Sequence, residues 1–159
     1  MFDGNIFSLE TANTERLRID SNGNFLFKNG ALIENGFYDS GGGLTGNYNH
    51  DLGTYGNVHY SGNNAAGAFT YNLRINSSVS LNSVMAVGDT ISFTLMHESN
   101  NTSYYMTAFK IDGTTQSVKY AGGSAPSAAT GSGIDVYSFS IMKQSDATFK
   151  VFGTFTNHA

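Results

Sequence analysis

The 159-residue chain contains no cysteine, no tryptophan and a single proline. Without cysteine it can build neither a disulfide framework nor a cysteine-ligated metal site. Charged residues are scarce as well, at 13% of the chain, against about 25% in a typical globular protein. The formal net charge is −4, and no run of basic residues occurs. Because phosphate binding depends on clustered lysine and arginine, we expect no nucleic-acid partner.

Long hydrophobic runs are missing too. The longest apolar stretch near the middle of the chain covers only residues 84–87, whereas a membrane-spanning helix needs about 20 apolar residues. The first ten residues, MFDGNIFSLE, carry no basic region and no long apolar run, so they do not predict a signal peptide. We therefore expect no membrane partner.

The residues that are abundant favour strands and turns. Glycine occurs 19 times, and aromatic residues make up 13% of the chain, which is too many for a disordered segment. Apolar and polar residues alternate with a period of two over residues 69–75, 91–95, 105–111, 137–141 and from 149 onward. This alternation predicts half-buried strands and an all-β fold. The best helical candidate is the short stretch 80–86.

Two turns and one long loop can be recognised between apolar runs of the sequence. The dipeptides that predict tight hairpin turns are Asn22-Gly23, between runs at 17–19 and 25–27, and Asp112-Gly113, between runs at 105–111 and 118–120. Residues 121–133 form a long Gly/Ser/Ala-rich loop that holds Pro126. Long loops are often functional, but we interpret this one as a surface crossover between two sheets.

The strongest break in composition is the triplet Gly41-Gly42-Gly43. It predicts a hinge at residues 41–46, between an N-terminal β-hairpin segment at 1–40 and a lobe at 47–159. An isolated hairpin is at most marginally stable in water, so another copy of the chain or another protein has to cover the apolar residues of the segment. The expected contact residues are Ile6, Phe7, Leu17, Ile19, Phe25 and Phe27.

Residues for catalysis or metal binding form no recognisable pattern. None of the four histidines stands at a metal-ligand spacing such as H-x-x-x-H. Residues 20–24 faintly match a calcium loop, but the glycine is misplaced and no bidentate glutamate follows, so a hairpin turn explains them. No G-x-S-x-G element occurs, and the 12 carboxylates are scattered. We therefore expect no enzyme activity, no metal site and no cofactor.

One segment, residues 47–64, predicts contacts with other molecules. It reads NYNHDLGTYGNVHYSGNN and concentrates aromatic rings among asparagine and glycine. The candidate contact residues are Tyr48, His50, Tyr55, His59 and Tyr60. Aromatic faces and amide donors suit a sugar ligand, while tyrosine is also frequent in protein interfaces. The alternative is a structural role, with a strand over residues 58–60.

Two parts of the sequence resemble phage structural proteins. Residues 14–24, TERLRIDSNGN, resemble the T-E-R-x-R-I-x-x-x-G-N repeat of phage fibre and other virion proteins. In those proteins the repeat forms a strand and hairpin at the start of a trimeric β-rich segment. An ordered set of stretches is similar to a C-terminal lobe common in structural proteins of cyanophages and other marine tailed phages: residues 73–76, 81–83, 88–90, 104–105, 108–113, 122–126 and 134–141.

This resemblance implies a jelly-roll-like β-sandwich lobe that assembles as a homotrimer on the virion surface. The sequence departs from the resembling lobe at two places. Tyr120 stands where that lobe has a tryptophan, and residues 156–159 lack its basic-aromatic ending. No ligand role of the tryptophan therefore carries over to this chain.

The function that the resemblance implies is that of a non-enzymatic virion structural protein. We expect a capsid-decorating or cement protein whose trimers bind the major capsid protein, or another virion protein, and stabilise the head. The alternative is a tail fibre or fibre-tip module that contacts host surface glycans. Residues 1–40 are too few for a long shaft, since a strand rises only about 3.3 Å per residue, and this favours the capsid. An enzyme such as a depolymerase has the least support, because no catalytic constellation is present.

Overall fold

The structure, a computed structural model, describes residues 7–159. Ile6, one of the expected contact residues, lies outside the described residues. The chain forms two compact units, of which the first ends at Glu34 and the second spans Asn35–Ala159. Strands account for 51% of the described residues and helices for 5%, so the predicted all-β class is confirmed.

The first unit is a three-stranded antiparallel sheet. Its strands follow one another in space as along the chain: β1 (Phe7–Thr11), β2 (Thr14–Ile19) and β3 (Phe25–Phe27). The turn from β2 to β3 contains Gly23 with a φ of +81°, which glycine adopts without strain. The Asp20 carboxylate accepts hydrogen bonds of 2.9 Å from the backbone N–H groups of Asn22 and Asn24. The predicted hairpin is thus confirmed.

The second unit is a sandwich of two sheets. One sheet contains β5 (Gly46–Asp51), β7 (Phe69–Arg74), β9 (Met106–Ile111) and β10 (Thr114–Thr115). The other contains β4 (Phe37–Asp39), β6 (Val58–Ser61), β8 (Thr90–Ser99), β11 (Val118–Tyr120), β12 (Gly133–Ser145) and β13 (Thr148–His158). Their spatial orders are β10-β9-β7-β5 and β11-β13-β12-β8-β6-β4. Two short helices complete the unit: α1 (Leu52–Tyr55) and α2 (Leu81–Val84).

From β4 to β9 the chain alternates between the two sheets. Each strand therefore pairs in parallel with the strand two places along: β4 with β6, β6 with β8, β5 with β7, and β7 with β9. A parallel pair needs a crossover connection, and here a strand of the opposite sheet provides it. β12 and β13 then form a long antiparallel hairpin. The predicted β-sandwich is confirmed, but these connections wind around the core and differ from the antiparallel Greek keys of a jelly roll.

The core lies between the two sheets, where the predicted alternation directs every second side chain inward. On β12, Tyr137, Phe139 and Ile141 are buried, whereas Met142 is exposed. Phe139 stacks on Phe109 of the opposite sheet, with ring centroids 4.1 Å apart. The most deeply buried apolar side chains come from both sheets: Phe69, Tyr71, Leu73, Phe93, Leu95, Phe109, Ile111, Tyr137 and Ile141.

Residues 41–46, predicted as a hinge, lie inside the second unit. They connect β4 in one sheet with β5 in the other, and Leu44 within them is only 1% exposed. A Cβ at Gly43 would overlap the backbone carbonyl of Asn64, so close packing rather than flexibility explains this glycine. The boundary between the units falls between residues 34 and 35, earlier than the predicted boundary at residue 40.

The Asp112-Gly113 turn differs in part from its prediction. It forms a tight hairpin, but the returning strand is the two-residue β10. The predicted return strand, β11, crosses to the other sheet and pairs in parallel with β13. The Asp112 carboxylate is engaged at the start of α2, where it accepts bonds from the backbone N–H groups of Leu81 and Asn82 at 2.7 and 2.9 Å. α2 itself lies within the predicted helical stretch.

Candidate functional site

The sheet of the first unit has one predominantly apolar face. The register aligns three strands in two rows, and residues aligned across strands point to the same face. The first row is Phe7, Ile19 and Phe25, and the second is Leu9, Leu17 and Phe27. We call these six residues the apolar face. A shift of one residue in any strand would divide this set between the two faces, so the register is strongly specified.

The apolar face is largely open to solvent. Phe25, Phe27 and Leu9 are 64%, 52% and 51% exposed. None of residues 7–34 is buried, so the first unit has no core of its own among its described residues. Exposed aromatic residues that lie in a contiguous patch mark an interaction site more often than scattered ones do. The apolar face is therefore the leading candidate in the first unit for contact with another molecule.

The opposite face of the same sheet is charged and paired. Arg18 donates two hydrogen bonds to the Glu15 carboxylate, at 2.5 and 2.9 Å, and Lys28 lies 3.0 Å from it. The hydrogen bond from Arg18 is the main reason why the pKa of Glu15 is lowered. Arg16 donates to the backbone carbonyl of Asn29 at 2.7 Å. Glu15, Arg18 and Lys28 satisfy one another, which leaves the apolar face as the side that gains from being covered.

The structure gathers most of the expected contact residues in one place. Phe7, Leu17, Ile19, Phe25 and Phe27 all belong to the apolar face. The sequence analysis missed Leu9, although it stands two positions after Phe7 and so points the same way in a strand. Contact with another molecule at this face stays a prediction.

The aromatic segment at 47–64 does not form an open ligand site. His50 and His59 are fully buried and stack on each other with centroids 5.3 Å apart. Tyr48 and Tyr55 are half-buried around them, Tyr48 stacking on His59 at 5.2 Å. Tyr60 points to the opposite side of the sheet, where its hydroxyl donates to the Glu98 carboxylate. The predicted contact residues are thus divided between the core and an outer face, because side chains of β5 and β6 alternate like those of the other strands, whereas Tyr55 ends α1.

His59 occupies a polar position within the core. Its Nδ1 is hydrogen-bonded to the Tyr71 hydroxyl at 2.7 Å, and its Nε2 lies 3.8 Å from the Asp39 carboxylate. Burial and the neighbouring His50 lower the pKa of His59 to about 4 despite Asp39. The ring is therefore neutral near pH 7 and acts as a packed core residue. A solvent-excluded ring has no route to a substrate.

A second histidine is buried in the same manner. His97 Nδ1 donates to the backbone carbonyl of Glu98 at 3.0 Å, and its Nε2 lies 3.7 Å from the buried Asp135. Burial lowers the pKa of His97. Asp135 accepts a hydrogen bond of 2.7 Å from the Asn157 side chain and one of 3.0 Å from the backbone of Thr130. Asp135 thereby ties the long loop at 121–132 to the sheet.

No group of three or more His, Asp or Glu side chains within residues 7–159 could hold a metal ion. Over the same residues, no helix has the length and apolar character needed to cross a membrane. Comparison with known proteins finds no matching family model, no similar curated protein and no similar solved structure. The geometry of the chain therefore carries the functional argument, and its leading feature is the apolar face.

Proposed function

We propose that this chain is a non-enzymatic structural protein of a bacteriophage particle that attaches through the apolar face of its first unit. The most direct form of this proposal is a homotrimeric capsid-decorating or cement protein on the head surface. The resemblance and the geometry point to the same strand. Residues 14–24, which resemble the virion-protein repeat, form β2 and the turn after it, and β2 supplies Leu17 and Ile19 to the apolar face.

The observation that carries the proposal is the amphipathic first unit. Its three strands form a single layer, and Leu9, Phe25 and Phe27 of the apolar face are each more than half exposed to water, so a partner that covers this face removes apolar surface from solvent. Removing apolar surface from water contributes about 25 cal/mol per Å², so covering large side chains such as Phe25 and Phe27 stabilises a complex by several kcal/mol. Association also has an entropic cost of about 4 kcal/mol or more. Contacts made by several copies at once overcome that cost more easily than one contact does.

Decoration would act through binding equilibria. A protein that binds the assembled head but not its free subunits stabilises the assembled state by mass action. The gain rises with the logarithm of the concentration relative to Kd, about 2.7 kcal/mol at a hundredfold excess. Such a role needs surface complementarity and no catalytic group.

Immunogold electron microscopy of intact virions, with antibody raised against the second unit, tests the proposal. Gold distributed over the head supports decoration, and the thermal stability of heads with and without the protein is then the next measurement. Gold confined to the tail contradicts decoration and supports the fibre alternative. Virions that carry no gold, with the protein present only in the lysate, contradict the structural role as a whole.

A further inference from the structure

The two outer faces of the sandwich differ in how their polar groups are used. On the four-stranded sheet, opposed side chains of β5 and β7 bond to each other across the register. The pairs are Thr70 with Asn47 at 2.7 Å, Asn72 with Asn49 at 2.8 Å, and Arg74 with Asp51 at 2.6 Å. A ligand on this face would have to replace bonds that already exist, so the face is a poor binding surface.

The outer face of the six-stranded sheet carries a shallow trough of about 520 Å³. This volume lies within the usual range for small-molecule sites, about 300–1,000 Å³. The floor of the trough is largely apolar, with contributions from Tyr120, Ala121 and Phe139. Five hydroxyl side chains from three adjacent strands also line it, and we call it the hydroxyl trough: Ser92 and Thr94 on β8, Ser138 and Ser140 on β12, and Thr154 on β13. The register sets Ser138 between Thr94 and Thr154, and Ser140 beside Ser92.

The hydroxyl groups of the trough are mostly free for a ligand. Within residues 7–159, the one side-chain hydrogen bond that involves any of the five joins Thr94 and Ser138, at 3.4 Å. Each hydroxyl offers one donor and two acceptor lone pairs. The trough therefore presents a patch of unused hydrogen-bonding capacity that matches the hydroxyl groups of a sugar.

An aromatic ring and one lysine line the hydroxyl trough, and a second lysine lies on the same face of β13 outside it. Phe152 is 57% exposed and is the register partner of Ser140. On the opposite side of β13, Phe152 is aligned with Lys119 of β11. Lys119 also lines the trough. Lys150 precedes Phe152 by two positions and so shares its face of β13. Neither lysine has an ion-pair partner within the described residues.

We propose that the hydroxyl trough binds an acidic saccharide. One sugar ring would stack on the exposed face of Phe152, as aromatic rings favour flat apolar contacts. The sugar hydroxyls would bond to the serine and threonine hydroxyls of the trough. The negative group would lie beside Lys119 and Lys150, where charge complementarity favours an anion although the chain as a whole carries a net charge of −4.

The same chemistry argues against an apolar partner at this face. An apolar protein surface packed onto the hydroxyl trough would leave buried hydroxyls without partners, at about 1–3 kcal/mol each. It would also remove two lysines from water without compensation. A saccharide avoids both penalties, because it carries its own donors, acceptors and charge. The inference goes beyond the proposed virion role and does not depend on it, since every residue of the trough belongs to the second unit.

The direct test is a titration of the full-length, ¹⁵N-labelled protein followed by NMR. 3′-Sialyllactose and lactose form a matched pair of probes, since they differ by one acidic sugar, and trigalacturonate is a second acidic probe. We expect both acidic probes to shift the amide signals of β8, β12 and β13 around the trough, with a Kd of about 1 mM or below. Lactose should bind at least about tenfold more weakly, and added salt should weaken the acidic probes, because salt screens exposed charges.

Two variants separate the ring from the charge. Phe152→Thr removes the stacking surface and should weaken both acidic probes by about tenfold or more. Lys119→Gln should weaken the acidic probes and leave lactose unchanged. Met142→Thr is the control for the first variant, because Met142 is exposed on the same face but does not line the trough. Lys110→Gln, on the other sheet, is the control for the second.

Three results would overturn the proposal. The first is the absence of amide shifts with both acidic probes up to about 10 mM. The second is binding that Phe152→Thr and Lys119→Gln leave unchanged. The third is a change of oligomeric state in Phe152→Thr, measured by sedimentation velocity, without any saccharide binding by the parent protein. That outcome would assign the face to contact between copies of the chain.

Discussion

Burying a histidine makes its protonation part of the folding equilibrium. In the unfolded chain its pKa is near 6.5, whereas burial lowers the pKa of His59 to about 4 in the folded protein. Between these values the unfolded state binds a proton that the folded state does not. Burial lowers the pKa values of His50 and His97 as well, so all three histidines act in the same direction.

Stability should therefore be complete above pH 6.5 and decrease as the pH falls toward 4. His59 alone accounts for up to about 3 kcal/mol of this loss. Urea unfolding at a series of pH values between 7.5 and 4.5 measures it, and His59→Gln should give a shallower dependence than the parent. His158→Gln is the control, since His158 is exposed. An identical pH dependence in His59→Gln and the parent would refute the assignment.

Gly43 offers a second test at the scale of one residue. A methyl group there would overlap the carbonyl of Asn64, and the crossover from β4 to β5 would have to move. We expect Gly43→Ala to lower the free energy of unfolding by about 1–3 kcal/mol. Gly42→Ala is the matched control, because nothing lies within 4 Å of its added Cβ, and it should change stability little. Equal free energies of unfolding in the two variants would contradict close packing at Gly43 and support the flexible hinge that the sequence predicted.

At the scale of elements, the apolar face gives the sharpest prediction. Phe25→Thr combined with Phe27→Thr keeps residues that favour strands but removes the two most exposed rings of β3. We expect the double variant to lose self-association and binding to heads, as measured by sedimentation velocity and by co-sedimentation with heads. Its second unit should keep its thermal transition, since none of that unit's core residues is changed. Val87→Thr serves as the control for loss of an exposed apolar side chain elsewhere, since Val87 is 66% exposed in the second unit.

The sequence predicted where strands lie better than it predicted which of their side chains face the core. The alternation over 69–75 and 137–141 marked the strands, and the structure places Tyr71, Leu73 and Phe139 inside as the pattern requires. The same alternation was present around Tyr48 and His50, but their polar atoms and their asparagine neighbours favoured a surface interpretation. Burial of His50 depends on the backbone carbonyl of Gly56, which lies 2.9 Å from its Nε2 and comes close only in the folded chain.

Strand pairing was beyond what the sequence could predict. Nothing in the spacing of β5 and β7 indicates that they pair in parallel, because the intervening β6 lies in the other sheet. The three-residue β4 carries too few residues for a periodic signal. The hydroxyl trough was missed for a related reason, since Ser92, Ser138 and Ser140 read as ordinary outward positions until the register places them side by side.

At the scale of the whole molecule, the two units should differ in how strongly they protect their backbone. Residues 7–34 have no buried side chains, and few buried contacts mean easy local opening. Hydrogen exchange followed by mass spectrometry should show fast exchange in this range for the free protein and slow exchange in the second unit. On particles, exchange of residues 7–34 should slow markedly. Equal protection before and after assembly would mean that the first unit is not the part that attaches.

The position of β11 has a consequence for synthesis of the protein. β11 lies at the edge of its sheet and pairs with β13, with Val118 opposite Val151. Along the chain, the long loop and all of β12 lie between these two strands. At a translation rate of about 5–20 residues per second, Lys119 and Tyr120 leave the ribosome a few seconds before the strand that fixes them exists. Until β13 is synthesised, the core residues on that side of the sandwich stay exposed to solvent. A chain that stalls in this interval is therefore accessible to chaperones and proteases.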